Sequence, residues 1–284
     1  MDGVINFLKP PGMTSNTAVV LLRKKLGIKK IGHTGTLDPG ACGVLPVCIG
    51  KATRISSYMM NARKEYIAEF TFGKRTDTGD TYGSVIETSS QQLPSEKDVA
   101  HILQSFIGCI KQETPAYSAV KVDGRKRYEL ARKGMELPPQ WREVEVYEIE
   151  YLGQTSPDAH RIRVLCGKGT YIRTLCEDIG RALRQCATMS FLARTQCAGL
   201  SISESVTLDE IADAAALFPM EPFLNVLPRV EASKDFRGQL FNGMGVAVDL
   251  PDMPIVRICA GNEFIGLGSV QQGIAKIHTR LVDI

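Results

Sequence analysis

Residues 31–55, IGHTGTLDPGACGVLPVCIGKATRI, set one aspartate and one histidine among glycines and then run into an apolar segment and two cations, Lys51 and Arg54. Gly32, Gly35 and Gly40 allow tight backbone and close approach of a ligand. Pro39 biases Asp38 toward an extended conformation, so its carboxylate is carried on stiff backbone. Such a group can serve as nucleophile, general base or metal ligand. A turn aspartate that bonds its own backbone is the competing reading. The glycines fit neither G-x-x-x-x-G-K-[ST] nor G-x-G-x-x-G, so a nucleotide-phosphate cradle is poorly supported. His33 is the one ligand type beside Asp38, and His101, His160 and His278 form no ligand-spaced pair. Metal catalysis is therefore set aside.

The chain has 284 residues, 44% of them apolar, enough for one large domain or a large and a small one. Net charge is only +3, but it is unevenly spread. Residues 9–30 carry Lys9, Arg23, Lys24, Lys25, Lys29 and Lys30 and no acid. Residues 121–134 carry six cations against Asp123 and Glu129, whereas 201–223 carry five acids and no base. Basic segments on a balanced chain suit a polyanionic partner, with solvated helix faces as the alternative. The eight cysteines contain no Cys-x-x-Cys and read as small buried hydrophobes. The start, MDGVINFLKPPG, lacks the build of a signal peptide, and no apolar run nears the ~20 residues of a membrane span. A soluble, reducing, cytoplasmic setting is expected, with no membrane partner.

VINFL (4–8) reads as a strand, and Ser15 as the cap of a helix that runs to Leu26 and stops at Gly27. VLPVCIG (44–50) reads as a buried strand whose Pro46 marks an edge or irregularity. KATRISSYMM begins a helix. EYIAEFTF (65–72) alternates, with Tyr66, Ala68, Phe70 and Phe72 on one face. Ser95 and Asp98 form a capping box for a helix over 95–107. RKRYELARKG is a short basic helix, VEVYEIEYL, RIRVLC and TMSFLART are strands, GTYIRTLCEDIGRAL enters a helix, and TLDEIADAAALF is a capped helix. The last ~55 residues are Gly-rich with short strands, which suggests a small β barrel. Uneven mixing of strands and helices predicts an α+β class.

GHTGTLDPGACGVLPVCIGKATR closely resembles the signature loop of the TruB family of bacterial tRNA pseudouridine-55 synthases. FLKPPGMTS, KEYIAEFTFGKRTDTGDTYG, ETPAYSAVKVDGRKRYELARKG, GKGTYIRTL and LART are similar to the family's other blocks, in order. The resemblance implies a pseudouridine synthase fold, a large mixed but mainly antiparallel sheet with flanking helices, over residues 1–225. It implies a small β-rich, PUA-type RNA-binding domain over 226–284. It further implies isomerisation of one T-loop uridine of tRNA by base flipping, with no cofactor and no metal.

The family aspartate maps onto Asp38. Tyr66 matches the tyrosine that stacks on the extruded base and stands near enough to be considered for the C5 proton transfer. Tyr171 and Arg173 match a second tyrosine and the arginine that pairs with the aspartate, a pairing that favours an ionised carboxylate. Leu192 matches a pocket leucine, and His33 the histidine that fills the space left by the base. Thr76, Asp77 and Asp80 fall in a loop expected at the RNA. The cations of 121–133 are expected along tRNA phosphates. Lys9 is expected to serve packing and charge. Cys42 and Gly40 depart from the family's usual loop residues, which touches loop stiffness rather than chemistry. A tRNA-binding or folding protein with secondary catalysis is the alternative, and a guide-RNA-dependent relative a more distant one. No sign of oligomerisation is present, so a monomer is expected.

Overall fold

Alternating and continuous apolar patterns sort the strands into half-covered and fully covered ones, and the computed structural model follows that division. It describes residues 1–122, 124–135, 137–211 and 217–283. The first strands are β1 (Gly3–Lys9), β2 (Ile31–His33), β3 (Cys42–Ile49) and β4 (Lys64–Phe72). Then come β5 (Lys74–Thr76), β6 (Val85–Thr88), β7 (Gly108–Glu113), β8 (Lys121–Val122) and β9 (Arg125–Lys126). They are followed by β10 (Trp141–Ser156), β11 (Ala159–Cys166), β12 (Ala187–Cys197), β13 (Leu200–Ser201) and β14 (Leu217–Phe218).

Ten of these make one sheet in the order β14-β1-β3-β12-β4-β11-β10-β7, with β2 joined to β3 and β13 to β12. Neighbours are antiparallel except β3 and β12, which run parallel where Cys42 and Gly43 face Ala193 and Arg194. Pro46 lies inside the sheet, not at its edge. It faces Asn6 of β1, while its carbonyl accepts from Thr34 beyond the end of β2. Its missing N–H therefore falls in the gap between β2 and β12, the irregularity that proline requires.

β4 alternates as expected, burying Tyr66, Ala68, Phe70 and Phe72. Against this face pack α1 (Ser15–Leu26), α3 (Glu96–Leu103) and α5 (Ile172–Ala182) through Leu22, Leu103, Leu175 and Ile179. The short helix α2 (Ser56–Met60) lies on the opposite face, and α4 (Arg127–Ala131) follows β9. β1 is covered on both faces: Ile5 and Phe7 join one core, Val4 the other.

Three expectations are corrected. Thr14, not Ser15, caps α1, accepting from Thr17 N at 3.0 Å. The helix after Ser95 has its capping box but leaves the α form at Leu103 for a 3-10 turn over Gln104–Phe106. Within TLDEIADAAALF, Thr207 and Glu210 bond as a cap would, residues 212–216 lie outside the described residues, and Leu217–Phe218 pair with β1 as a strand. An edge of β1 open to pairing outweighs local helix preference there.

The C-terminal strands β15 (Arg229–Ala232), β16 (Val246–Ala247), β17 (Met253–Ala260), β18 (Glu263–Gln271) and β19 (Ile274–Arg280) form a second sheet, with α6 (Arg237–Phe241) against it. It is a curled sheet in the order β15-β17-β18-β19-β16, and the small barrel expected from the sequence is left open, since among the described residues β15 and β16 do not pair with each other. Cys259, Phe264, Leu267 and Leu281 join it in one core with Val44 and Cys48 of the large sheet's back face and Met59 of α2.

Candidate active site

The loop that enters β3 has few internal hydrogen bonds, so its neighbours must hold it. Ser15, released from capping, donates Oγ to the Leu37 carbonyl at 3.1 Å and accepts from the Leu37 amide at 2.9 Å. Lys9 is fully buried and donates Nζ to the carbonyls of Pro10, Met13 and Pro39 at 2.9, 2.8 and 3.4 Å. Burial pushes its ammonium down to about 8, against the opposing pull of Cys42 and Asp38. Arg194, also buried, donates Nε to the Val44 carbonyl at 2.7 Å and Nη2 to the Gly35 carbonyl at 3.2 Å. Gly43 is required between them: at φ 107°, a Cβ there would sit 2.2 Å from the Arg194 carbonyl. The backbone is thus fastened on both sides of Asp38.

Arg173, in the first turn of α5, meets Asp38 with a two-pronged ion pair, Nε to Oδ2 at 2.9 Å and Nη2 to Oδ1 at 3.3 Å. Nη1 donates to the Thr78 carbonyl at 2.7 Å and Nη2 also to the Tyr117 carbonyl at 3.0 Å. The arginine side chain is 5% exposed and the aspartate side chain 32%. The guanidinium is therefore anchored in protein while the carboxylate borders solvent. Such a pair supplies both charge and planar orientation.

Asp38 lines a cleft of about 190 Å³. Gly40, Ala41 and Cys42 form one wall, Asp80, Thr81 and Tyr82 a second, and Met189 to Leu192 a third. Of the expected site residues, Asp38, Asp80 and Leu192 line the cleft, and Arg173 reaches it through its ion pair. Asp80 Oδ1 is engaged inside its own loop, accepting from Thr78 Oγ1 at 2.7 Å and Tyr82 N at 3.1 Å. Tyr171 precedes α5, its backbone gripped by buried Gln112 at 3.0 and 3.3 Å, with the Arg142 guanidinium 5.2 Å from its ring.

Tyr171, Tyr66 and His33 stand outside that lining. Tyr66 is 7% exposed and pairs across the sheet with Arg194. Burial pushes its phenol above the usual range, more strongly than the Arg194 charge pulls it down. His33, on β2, is half-buried and accepts through Nδ1 from the Gly35 amide at 3.3 Å. Burial and then the Arg194 charge hold it below the usual histidine value, so the neutral ring prevails near pH 7. In the basic segment 121–133, Arg127 is buried and bonds the Pro138 carbonyl, so it is withdrawn from the surface set. Lys121, Arg125, Lys126, Arg132 and Lys133 are exposed.

Sequence reasoning missed Arg194 and Gln112 and undervalued Lys9. A signal for Arg194 existed: it lies two residues after Leu192 in a strand, hence on the same face. Its role is testable. Arg194→Met frees the carbonyls of Gly35 and Val44, at about 1–3 kcal/mol of stability. Loosening the Asp38 loop lowers turnover by about 10- to 100-fold. Removing the charge also raises the His33 pKa, which an NMR titration reads. Unchanged turnover together with an unmoved His33 titration rules the role out.

Residues 23–172 match the N-terminal domain of the TruB family pseudouridylate synthases, and residues 173–225 match the tRNA pseudouridylate synthase B C-terminal domain. The chain is 45% identical over 252 residues to tRNA pseudouridine synthase B of Symbiobacterium thermophilum, covering 87% of this chain and 84% of the relative. It is 40% identical over 290 residues to the protein of the same name from Clostridium tetani, covering 99% of this chain and all of the relative, 100%. Among solved structures, a Cbf5-Nop10-Gar1 complex contains a chain 28% identical, with TM-score 0.73 over 99% of this chain and 85% of that one. An H/ACA RNP bound to a substrate RNA containing 2'-deoxyuridine contains another, 26% identical, with TM-score 0.72 and the same coverage, 99% and 85%. The sheet order, the fastened aspartate loop and these likenesses agree, and the chain belongs to the TruB family of pseudouridylate synthases.

Proposed function

We propose that the protein isomerises one uridine of tRNA, position 55 in the T loop, to pseudouridine. The observation that carries this reading is the Asp38–Arg173 pair at the edge of a cleft of about 190 Å³. Relatives named tRNA pseudouridine synthase B support tRNA as the substrate. Substrate and product are isomers, so no oxidant, reductant or group donor is consumed. The C1′–N1 bond breaks, the uracil turns within the cleft, and a C5–C1′ bond forms. The proton lost from C5 is balanced by one gained at N1.

Extruding the base from a stacked loop costs a few kcal/mol. Stacking on an aromatic side chain recovers about 1–3 kcal/mol. Asp38 acts on the unstacked nucleoside, and Arg173 orients it. Tyr66, its phenol held protonated by burial, positions the base and is a poor proton acceptor. Tyr171 and Leu192 flank the base, Asp80 orders the loop beside it, and neutral His33 occupies space the base vacates. Residues 1–225 form the catalytic domain, 226–284 an RNA-binding domain, and the exposed cations of 121–133 meet phosphates of the T arm. The protein works as a monomer, in the cytoplasm where tRNA resides.

An unmodified T-arm hairpin incubated with the protein should gain pseudouridine at a single uridine, mapped base by base. No product, or conversion spread over several uridines, sinks the proposal.

A further inference from the structure

Tyr82 is 74% exposed and yet lines the Asp38 cleft. Its ring lies over Gly40, two residues from Asp38, so closely that a Cβ on Gly40 would stand 2.2 Å from ring carbon Cε2 and 2.9 Å from Cζ. Gly40 is not among the glycines with positive φ, so its backbone is open to any residue. What the ring needs at this position is the missing side chain. The Cε2 side of the ring is thereby seated against Gly40, and most of the side chain is open to solvent.

The loop that carries Tyr82 is tied in place. Asp80 Oδ1 accepts from the Tyr82 amide at 3.1 Å and from Thr78 Oγ1 at 2.7 Å. Asp77 Oδ1 accepts from the Ser84 amide at 2.8 Å, and Thr76 Oγ1 donates to the Asp80 carbonyl at 2.6 Å. Thr78 is bonded in turn to Arg173, the partner of Asp38. A single exposed aromatic is ordinary on a protein surface. An exposed aromatic on an ordered loop, over a glycine and beside the reactive carboxylate, is a flat surface whose ordering cost is already met.

We propose that Tyr82 is a base-stacking residue for the RNA substrate: its open ring face takes a nucleobase adjacent to the extruded uridine, with Gly40 as its seat. This rests on the RNA-isomerising reading above. A base next to an extruded one has lost a stacking partner, and any base offers a π face. The contact therefore adds affinity and fixes how the substrate enters the cleft. It takes no part in bond making.

The test compares Tyr82→Ala and Tyr82→Phe with the unaltered protein on an unmodified tRNA transcript, reading filter binding and steady-state kinetics. Tyr82→Ala should raise Kd and KM by about 5- to 150-fold, the range of one lost stack, with kcat within about threefold. Tyr82→Phe keeps the ring and should stay within about twofold. Gly40→Ala should weaken binding in the unaltered protein and cost less in the Tyr82→Ala background, since the ring it displaces is gone. Unchanged Kd and KM in Tyr82→Ala overturn the inference, as does a loss confined to kcat or a Tyr82→Phe variant as poor as Tyr82→Ala. Absence of pseudouridine with the unaltered protein defeats the proposed activity instead, and the binding comparison still decides the role of Tyr82.

Discussion

The Asp38→Asn protein is expected to form no detectable pseudouridine, a fall in turnover of about 10⁴-fold or more, while it still binds tRNA. The substitution keeps the size of the side chain and removes its negative charge. A carboxamide offers Arg173 one acceptor in place of two, so one prong of the pair is lost. Arg173 stays in place because Thr78 and Tyr117 still accept from it. Breaking a buried ion pair costs about 3–5 kcal/mol, and the partial exposure of Asp38 reduces that to roughly 1–3 kcal/mol here. Binding to a polyanion should hold or tighten, since a negative charge has left the cleft. Pseudouridine mapping and filter binding on one preparation read both effects. Turnover within tenfold of the unaltered protein would remove Asp38 from the chemistry. Loss of binding with the fold intact would favour an aspartate that only shapes the RNA site.

Much of this site was legible because its chemistry is local in sequence. Asp38 before Pro39, with glycines on both sides, announces a stiff loop near a ligand, and the alternation of 65–72 fixes which face of β4 is buried. What fastens the loop was not legible. Ser15 and Leu37 are joined across 22 residues, Arg194 and Gly35 across 159, and neither separation leaves a periodic trace. Ser15 misled in a specific way: it has the chemistry of a helix cap, but Thr14 takes that place and leaves Ser15 for the loop. The cations of 121–133 were read from sequence as surface charge, yet Arg127 is buried and bonded to a carbonyl, as are Lys9 and Arg194 elsewhere in the chain. A pattern count cannot separate these cases, because the deciding partners are backbone oxygens that the fold brings up to each cation. The strand at 217–218 was hidden for a related reason, as its partner is an edge more than 200 residues earlier.

Arg173 should also prove costly to replace, though less so than Asp38 and by a different route. Its guanidinium serves three acceptors at once, the Asp38 carboxylate and the carbonyls of Thr78 and Tyr117, and is almost wholly enclosed. In Arg173→Met the exposed edge of Asp38 can recruit water, so the carboxylate is not stranded. The two carbonyls are stranded, and each unpaired buried acceptor costs about 1–3 kcal/mol. The loops that carry Thr78 and Tyr117 lose their tie to α5, and Asp38 loses its orientation. Turnover should therefore fall by about 10²- to 10³-fold, and amide hydrogen exchange over 76–84 should quicken. Arg173→Lys separates charge from geometry. A lysine restores a positive charge but cannot make the planar fork or reach all three acceptors. It should recover part of the stability and little of the turnover. If Arg173→Lys instead turns over within a few-fold of the unaltered protein, charge alone suffices and the two-pronged geometry is incidental. If Arg173→Met leaves exchange over 76–84 unchanged, the loop is held by its own Asp77 and Asp80 bonds, and the effect on turnover belongs to Asp38 alone.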